Sequence, residues 1–463
     1  MIRSNNTSNR FVTGLCTIFI ISLLLFFYFV NDTYIFETRL IIFSFAYLAI
    51  LYLATISKEK EIDIFHPIHL VTITYLCIFI FTPLLLINQG RANCWGVNVM
   101  LGCTKATIVF NLSYTFYIIG YTKLKITDYT FYRSNVVSES QQSRIVLYST
   151  IIWLIGFILA ISYLLITGRS ISYILTLGNS GNMDSQNGKG DLLFLSNFTL
   201  FMVTPLLYLF KFSKSKSFFA LLGFLTFSTM YIRGFRIFIL ILIISLFIVY
   251  FKGRLKKPSF KILMPTFIVM IFFLTFLGTK RKDLRSGNKQ TTSEINSGAI
   301  SDMMESNFEI YKPFYGLVVK YNETYAFTLG KSMVWDTIIN WIPRAIWPGK
   351  PLAADQTQPI GIKQSVNTAA IDHGAMSWPN IGEFYMEFGT IGCCILFYYF
   401  GFGSKYLTKY YYSKNSNHLF IYAVTYPILF QFMIRGAFSQ LLPFVVFTTL
   451  PFFLLKNIVK IKF

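Results

Sequence analysis

Long apolar runs separated by short polar breaks dominate the chain. Runs able to cross about 30 Å of hydrocarbon fall at roughly 11–30, 40–56, 68–87, 106–122, 145–166, 192–210, 217–232, 235–251, 262–279, 382–403, 419–434 and 438–455. Each predicts a membrane-spanning helix. The first run has no small-residue cleavage site, so it reads as a retained span rather than a signal peptide. The pattern therefore predicts an all-α polytopic membrane helix bundle with about twelve transmembrane helices and one large extracytoplasmic loop. Residues 1–279 hold spans one to nine, 280–381 the loop, and 382–463 the last three spans.

Composition supports this division. Of 463 residues, 54% are hydrophobic and only 13% charged, against about 25% charged in an ordinary soluble domain, which excludes soluble, fibrous and disordered classes. The formal charge of +21, from 41 Lys and Arg against 20 Asp and Glu, would suggest nucleic acid in a soluble protein. Placed on the spans, it is mostly topological. With an even span count both termini share one side, and the loops on that side collect Lys58 and Lys60, then Lys123, Lys125, Arg133 and Arg144, then Lys211, Lys214 and Lys216, then Lys252, Arg254, Lys256, Lys257 and Lys261, and finally Lys405, Lys409 and Lys414. The positive-inside rule makes that side cytoplasmic. The expected location is a bacterial inner membrane with both termini cytoplasmic, and nucleic acid is not an expected partner.

The connection from 280 to 381 is the longest gap between spans, and loops of this length are usually functional or disordered. Its first half is polar. Its second half contains MVWDTIINWIPRAIWPGKP, in which Trp335, Ile338, Ile339, Ile342, Ala345 and Ile346 recur at helical spacing while Asp336, Asn340 and Arg344 share the other face. That pattern predicts a helix in the membrane interface, either a structural cap or part of a site. Pro343 would kink it or begin a second short piece. Cys94 and Cys103 share an outer loop, where a disulfide is feasible if that side is oxidising.

Basic residues on the outer side oppose the positive-inside bias and require compensation. Arg233 and Arg236 occupy a short turn, IRGFR; Arg281 follows the ninth span; Arg344 and Lys350 lie in the interfacial stretch; Arg435 joins the last two spans. Each alone could snorkel to lipid phosphates or pair locally. Together they predict a convergent anion site, because guanidinium binds phosphate bidentately and keeps its charge. Acid and base candidates on that side are His373 and the pair Glu383 and Glu387, which at i, i+4 share one helical face. A buried carboxylate pair is expensive and marks a site or pathway, unless both reach interfacial water.

Other chemistries lack their motifs. Gly330-Lys331-Ser332 resembles the end of a P-loop, but Tyr325 stands where its leading glycine belongs. His66 and His69 lack the acidic residue and clean helix of a zinc protease. No Asp-x-Asp pair marks a dedicated divalent-metal site, so no metal and no cofactor are expected.

The strings IRGFRIFIL, GTKRKDLR, IPRAIWPGKP and HGAMSWPNIGEFYMEFG, in that order, resemble the oligosaccharide repeat-unit polymerases of bacterial surface polysaccharides, the Wzy family. The resemblance covers about 230 to 395. It implies a membrane glycosyltransferase of the GT-C type that moves a growing glycan from undecaprenyl diphosphate onto the terminal sugar of a new lipid-linked repeat unit at the periplasmic face. The implied partners are both undecaprenyl-diphosphate-linked oligosaccharides, membrane lipids and a chain-length regulator. Arg233, Arg236, Arg281, Arg344, Lys350 and Arg435 would hold the diphosphate, and His373, or else Glu383, would accept the proton of the attacking hydroxyl. An O-antigen ligase shares this chemistry. A flippase for lipid-linked sugars usually shows two related halves, and no internal repeat is visible here.

Overall fold

The computed structural model describes residues 14–25, 34–59, 63–91, 93–94, 97–124, 138–166, 197–233, 236–253, 308, 310–320, 327–340, 342, 347, 349, 378–413, 415–436 and 438–459. The described residues are helical apart from turns and a two-residue antiparallel pair, β1 (Asn93–Cys94) and β2 (Val97–Asn98). The helices are α1 (Gly14–Leu25), α2 (Ile35–Ile56), α3 (Pro67–Asn88), α4 (Cys103–Lys123), α5 (Glu139–Ile166), α6 (Phe198–Phe212), α7 (Lys216–Arg233), α8 (Arg236–Gly253), α9 (Tyr311–Lys320), α10 (Asp336–Asn340), α11 (Asn380–Tyr412), α12 (Ser416–Ile434) and α13 (Phe438–Val459). Six helices are long and apolar enough to cross a membrane, and α1, α6 and α8 are shorter apolar helices. A helix occupies every run anticipated from the sequence except 262–279, which lies outside the described residues.

Large apolar side chains point outward along these helices. Phe43 is 70% exposed, Phe224 67% and Ile391 75%. Solvent would not tolerate such a surface, whereas lipid does. The chain is a multi-pass membrane protein.

Two apolar cores organise the interior. One gathers α2, α3, α4, α9 and the first part of α11; the other gathers α5, α6, α8, α12 and α13. Among the described helices, α4 and α11 pack most closely. A Cβ on Gly120 would lie 2.0 Å from the Tyr398 carbonyl oxygen, and one on Gly401 would lie 2.0 Å from that of Tyr117. Paired glycines therefore let the two backbones touch, as small residues do in membrane bundles. In α3 a π-helical turn at Cys77–Phe81 absorbs one extra residue and lets the helix continue to Asn88. Cys103 is a free, buried thiol, so the feasible disulfide with Cys94 is not formed.

The bundle has two distinguishable ends. At one, His66, Tyr121, Lys405 and Tyr412 meet, and Lys211, Lys214 and Lys252 join neighbouring helices there. The other end carries β1 and β2, the α7–α8 turn, α10, the start of α11 and the α12–α13 turn with Arg435.

Candidate functional site

At the Arg435 end, helix α11 is not the continuous span expected at 382–403. Gly389 has φ 66° and ψ −158°, a region open essentially to glycine alone. The chain reverses there. Cys393 Sγ lies 3.5 Å from the Ile381 carbonyl oxygen, a pair that an unbroken helix would hold about 18 Å apart. Likewise Phe384 stacks edge-on against Phe397 at 5.7 Å. Residues 380–388 thus form a half-helix folded back against 390–412, a hairpin inside the bundle.

The break leaves the Met386 and Glu387 carbonyls without helical donors. Backbone N–H groups of Thr328 and Leu329 fill them at 3.1 and 3.0 Å. Phe327 closes the hinge, with its ring 2.9 Å from where a Gly389 Cβ would stand. The Glu387 carboxylate accepts the N–H of Gly330 and, at 3.2 Å, that of Met333. The glycine that resembled a P-loop end therefore serves a carboxylate, and Glu387 caps the helical segment that runs through Lys331–Trp335 into α10. On that segment Val334, Trp335 and Ile338 are exposed while Thr337 and Ile339 are buried, which suits an interfacial helix lying on the bundle.

Glu383 works on the opposite side. Both of its oxygens accept the Phe438 N–H at 3.1 Å, capping the start of α13. Both carboxylates are almost fully buried, although they serve different segments. Neither sits in interfacial water.

The half-helix begins deep in the bundle. Asn380 accepts the Tyr75 hydroxyl through Oδ1 at 2.9 Å, and Tyr75 stands thirteen residues before the end of α3, about 20 Å along the helix axis. The α12–α13 turn lies at the same depth. Gly436 N–H donates to the Trp378 carbonyl at 3.0 Å, and a Cβ on Gly436 would lie 2.3 Å from the Asn380 Cα. Phe432, one turn earlier, packs against Phe384 at 5.9 Å. Arg435 is therefore sunk well below the tip of α3.

Arg435 follows α12 in this turn and is exposed. A guanidinium stays protonated, so the turn carries a fixed positive charge. At the start of the half-helix that packs on the same turn, the Asn380 side-chain Nδ2 is buried without a hydrogen-bond partner.

The other sequence-derived candidates are placed as follows. Arg233 ends α7 and Arg236 begins α8; their side chains lie outside the described set. Their backbone belongs to the Arg435 end, because Phe238 packs edge-on against Phe444 of α13 at 5.3 Å. His373, Arg281, Arg344 and Lys350 lie outside the described residues. Sequence reasoning missed Asn380 and the hairpin. The available signals were Pro379, which starts a helix well, and Gly389 and Gly392 interrupting an apolar run. Among the described residues no three His, Cys, Asp or Glu side chains converge into a metal-binding group.

The family model described as O-antigen polysaccharide polymerase Wzy matches residues 16–462. No curated protein and no solved structure matches the chain.

Proposed function

Since this chain belongs to the O-antigen polysaccharide polymerase Wzy family, we propose that it transfers a growing glycan from undecaprenyl diphosphate to the terminal sugar of a new lipid-linked repeat unit at the periplasmic face. Arg435, an exposed cation in the turn that packs on the half-helix, carries this reading. A lipid diphosphate leaving group develops negative charge as its bond to the anomeric carbon breaks, and a preorganised cation at the membrane stabilises that charge more than water does. Arg233, Arg236, Arg281, Arg344 and Lys350 are proposed to complete the anion site. The attacking hydroxyl oxygen forms the new bond to the anomeric carbon, the diphosphate departs with the electron pair, and the hydroxyl proton passes to His373, or else to Glu383. With fixed cations holding the diphosphate, the reading needs no metal.

Topology follows from charge. The His66 end carries Lys58, Lys123, Arg144, Lys211, Lys214, Lys216, Lys252, Lys405, Lys409 and Lys456 against Glu59, Asp63 and Glu139 among its described residues. That excess supports a cytoplasmic His66 end, a periplasmic Arg435 end and cytoplasmic termini in the inner membrane. Twelve spans of GT-C type and a chain-length regulator as partner belong to the same proposal.

Deletion followed by gel analysis of surface glycan tests it. Loss of the polymerase leaves a single repeat unit attached. Lipid-linked polymer would instead indicate a ligase, and absence of any exported unit a flippase.

A further inference from the structure

Leu329 begins a surface to which the reaction scheme above gives no role. It is 75% exposed and has φ 50°, a backbone region that leucine rarely adopts. Asparagine or glycine would hold the turn with less strain, so what the leucine adds is an outward apolar side chain. The surface continues along the helical segment that follows. Lys331, Val334, Trp335 and Ile338 recur there at helical spacing and are exposed, while Thr337 and Ile339 are buried. Among the described residues of this face only Lys331 is polar. A sugar site needs several hydrogen-bonding groups, and water disfavours so continuous an apolar patch.

Lipid accepts it, and the neighbouring surface already faces lipid. Ile391, Ile395, Tyr399 and Phe402 form an exposed stripe down α11. Phe388, also exposed, links that stripe to the segment, its ring tip 3.6 Å from where a Gly330 Cβ would stand. The apolar belt of a span thus extends onto a segment too short to cross a membrane. The same segment is fastened to the α11 hinge. Four backbone N–H groups, of Thr328, Leu329, Gly330 and Met333, end on the carbonyls of Met386 and Glu387 and on the Glu387 carboxylate. Lifting the segment would take these donors from buried acceptors, which is costly.

We propose that this face, Leu329 to Ile338, docks into the lipid interface at the Arg435 end of the bundle and ties the α11 hinge to the membrane surface. The chain supplies both parts that such contact needs: aliphatic and indole groups for the acyl chains, and the Lys331 ammonium for headgroup phosphates. Lipid then holds the hinge from outside and Glu387 holds it from inside. The proposal goes beyond the polymerase reading and is independent of catalysis.

The test uses the full-length protein in nanodiscs of phosphatidylethanolamine and phosphatidylglycerol, with plain or with brominated acyl chains, which quench tryptophan on contact. The difference in emission between wild type and Trp335→Phe is the share of Trp335. That share should fall at least about twofold in the brominated nanodiscs. A share that bromine leaves unchanged would overturn the proposal, since the face would then meet water, glycan or protein. The tie to the hinge is read by amide hydrogen exchange. Asparagine suits the backbone of Leu329 and glutamine keeps the helix at Ile338, so Leu329→Asn with Ile338→Gln removes apolar side chains without forcing the backbone. In that variant the amides of 328–333 should exchange about tenfold faster than in wild type, with the spans unchanged. Wild-type exchange at 328–333, or acceleration throughout the bundle, would overturn the tie.

Discussion

The two ends of the bundle treat charged groups in opposite ways. At the His66 end the histidines, Lys405 and the acidic groups pair with neighbours, although the Tyr117 hydroxyl and Ser404 Oγ nearby are buried without partners. His66 bridges Tyr121 at 3.2 Å and Tyr412 at 2.6 Å, His69 meets Tyr52 at 2.6 Å, and Tyr411 donates to Asp63 at 2.7 Å. Lys405 pairs with Glu59, and Lys252 lies 4.2 Å from the centroid of the Tyr411 ring. At the Arg435 end the cation is exposed at a turn instead of being paired inside the bundle. Buried polar pairs in a low-dielectric interior fix a fold. The presence of buried charge therefore does not by itself locate a site; an accessible cation at the outer end is the group placed to meet an anion.

The largest expected effect tests the Arg435 end. Arg435→Ala should lower chain elongation at least a hundredfold, as loss of a transition-state charge donor does, while insertion and the unfolding midpoint stay near wild type. Elongation is read from the length distribution of labelled glycan on gels. Normal chains would place Arg435 with the scaffold and erase the contrast.

Opposite behaviour is expected of Glu59→Gln at the His66 end. Lys405 and Glu59 are largely shielded, with side-chain exposures of 5% and 19%. Leaving a buried ammonium without its partner costs about 3 kcal/mol. The variant should unfold at a clearly lower temperature while the folded fraction elongates normally per molecule. Unchanged stability would mean that Lys405 gains another partner or water.

Gly389→Ala probes the hinge itself. The backbone region is closed to alanine at a cost of about 1–3 kcal/mol, and the Phe327 ring adds a steric clash. Both stability and elongation should fall, because the hinge positions the half-helix on which the Arg435 turn packs. A scaffold variant such as Glu59→Gln should lower only the first. Loss of stability with full elongation would separate the half-helix from the reaction.

Hydropathy made the scaffold legible and the site obscure, for a physical reason. An apolar run records that a segment avoids water, and it records that equally well for a straight span or a folded-back hairpin; hence 382–403 looks continuous although Gly389 reverses it. The depth of Arg435 was hidden for a related reason. A residue following an apolar run reads as a rim residue, yet α12 ends beside the interior of α3 because neighbouring helices differ in length and reach. Glu383 and Glu387 were legible as a carboxylate pair from their i, i+4 spacing, but not as caps for α13 and the α10 segment, since their donors lie about fifty residues away in the chain.

The smallest expected effect concerns protons at the His66 end. His66 sits at the foot of α3, just outside the span Pro67–Asn88. Burial, aided by His69, Lys405 and Lys252, lowers its pKa from 6.5 to about 3. A neutral imidazole has one donor and one acceptor, which suits the two tyrosine hydroxyls it touches. In the unfolded chain the same ring takes up a proton as pH falls through 6.5, while in the folded chain it does not until near 3. The unfolded state then binds more protons, so stability is complete above about pH 6.5 and declines as pH falls from there toward 3. At pH 5 the loss from this residue is about 2 kcal/mol. His66→Gln keeps a donor and an acceptor but cannot titrate. Its unfolding midpoint should therefore change less between pH 7.5 and 5 than that of the wild type; equal slopes would place the acid sensitivity elsewhere and leave His66 a passive link among tyrosines.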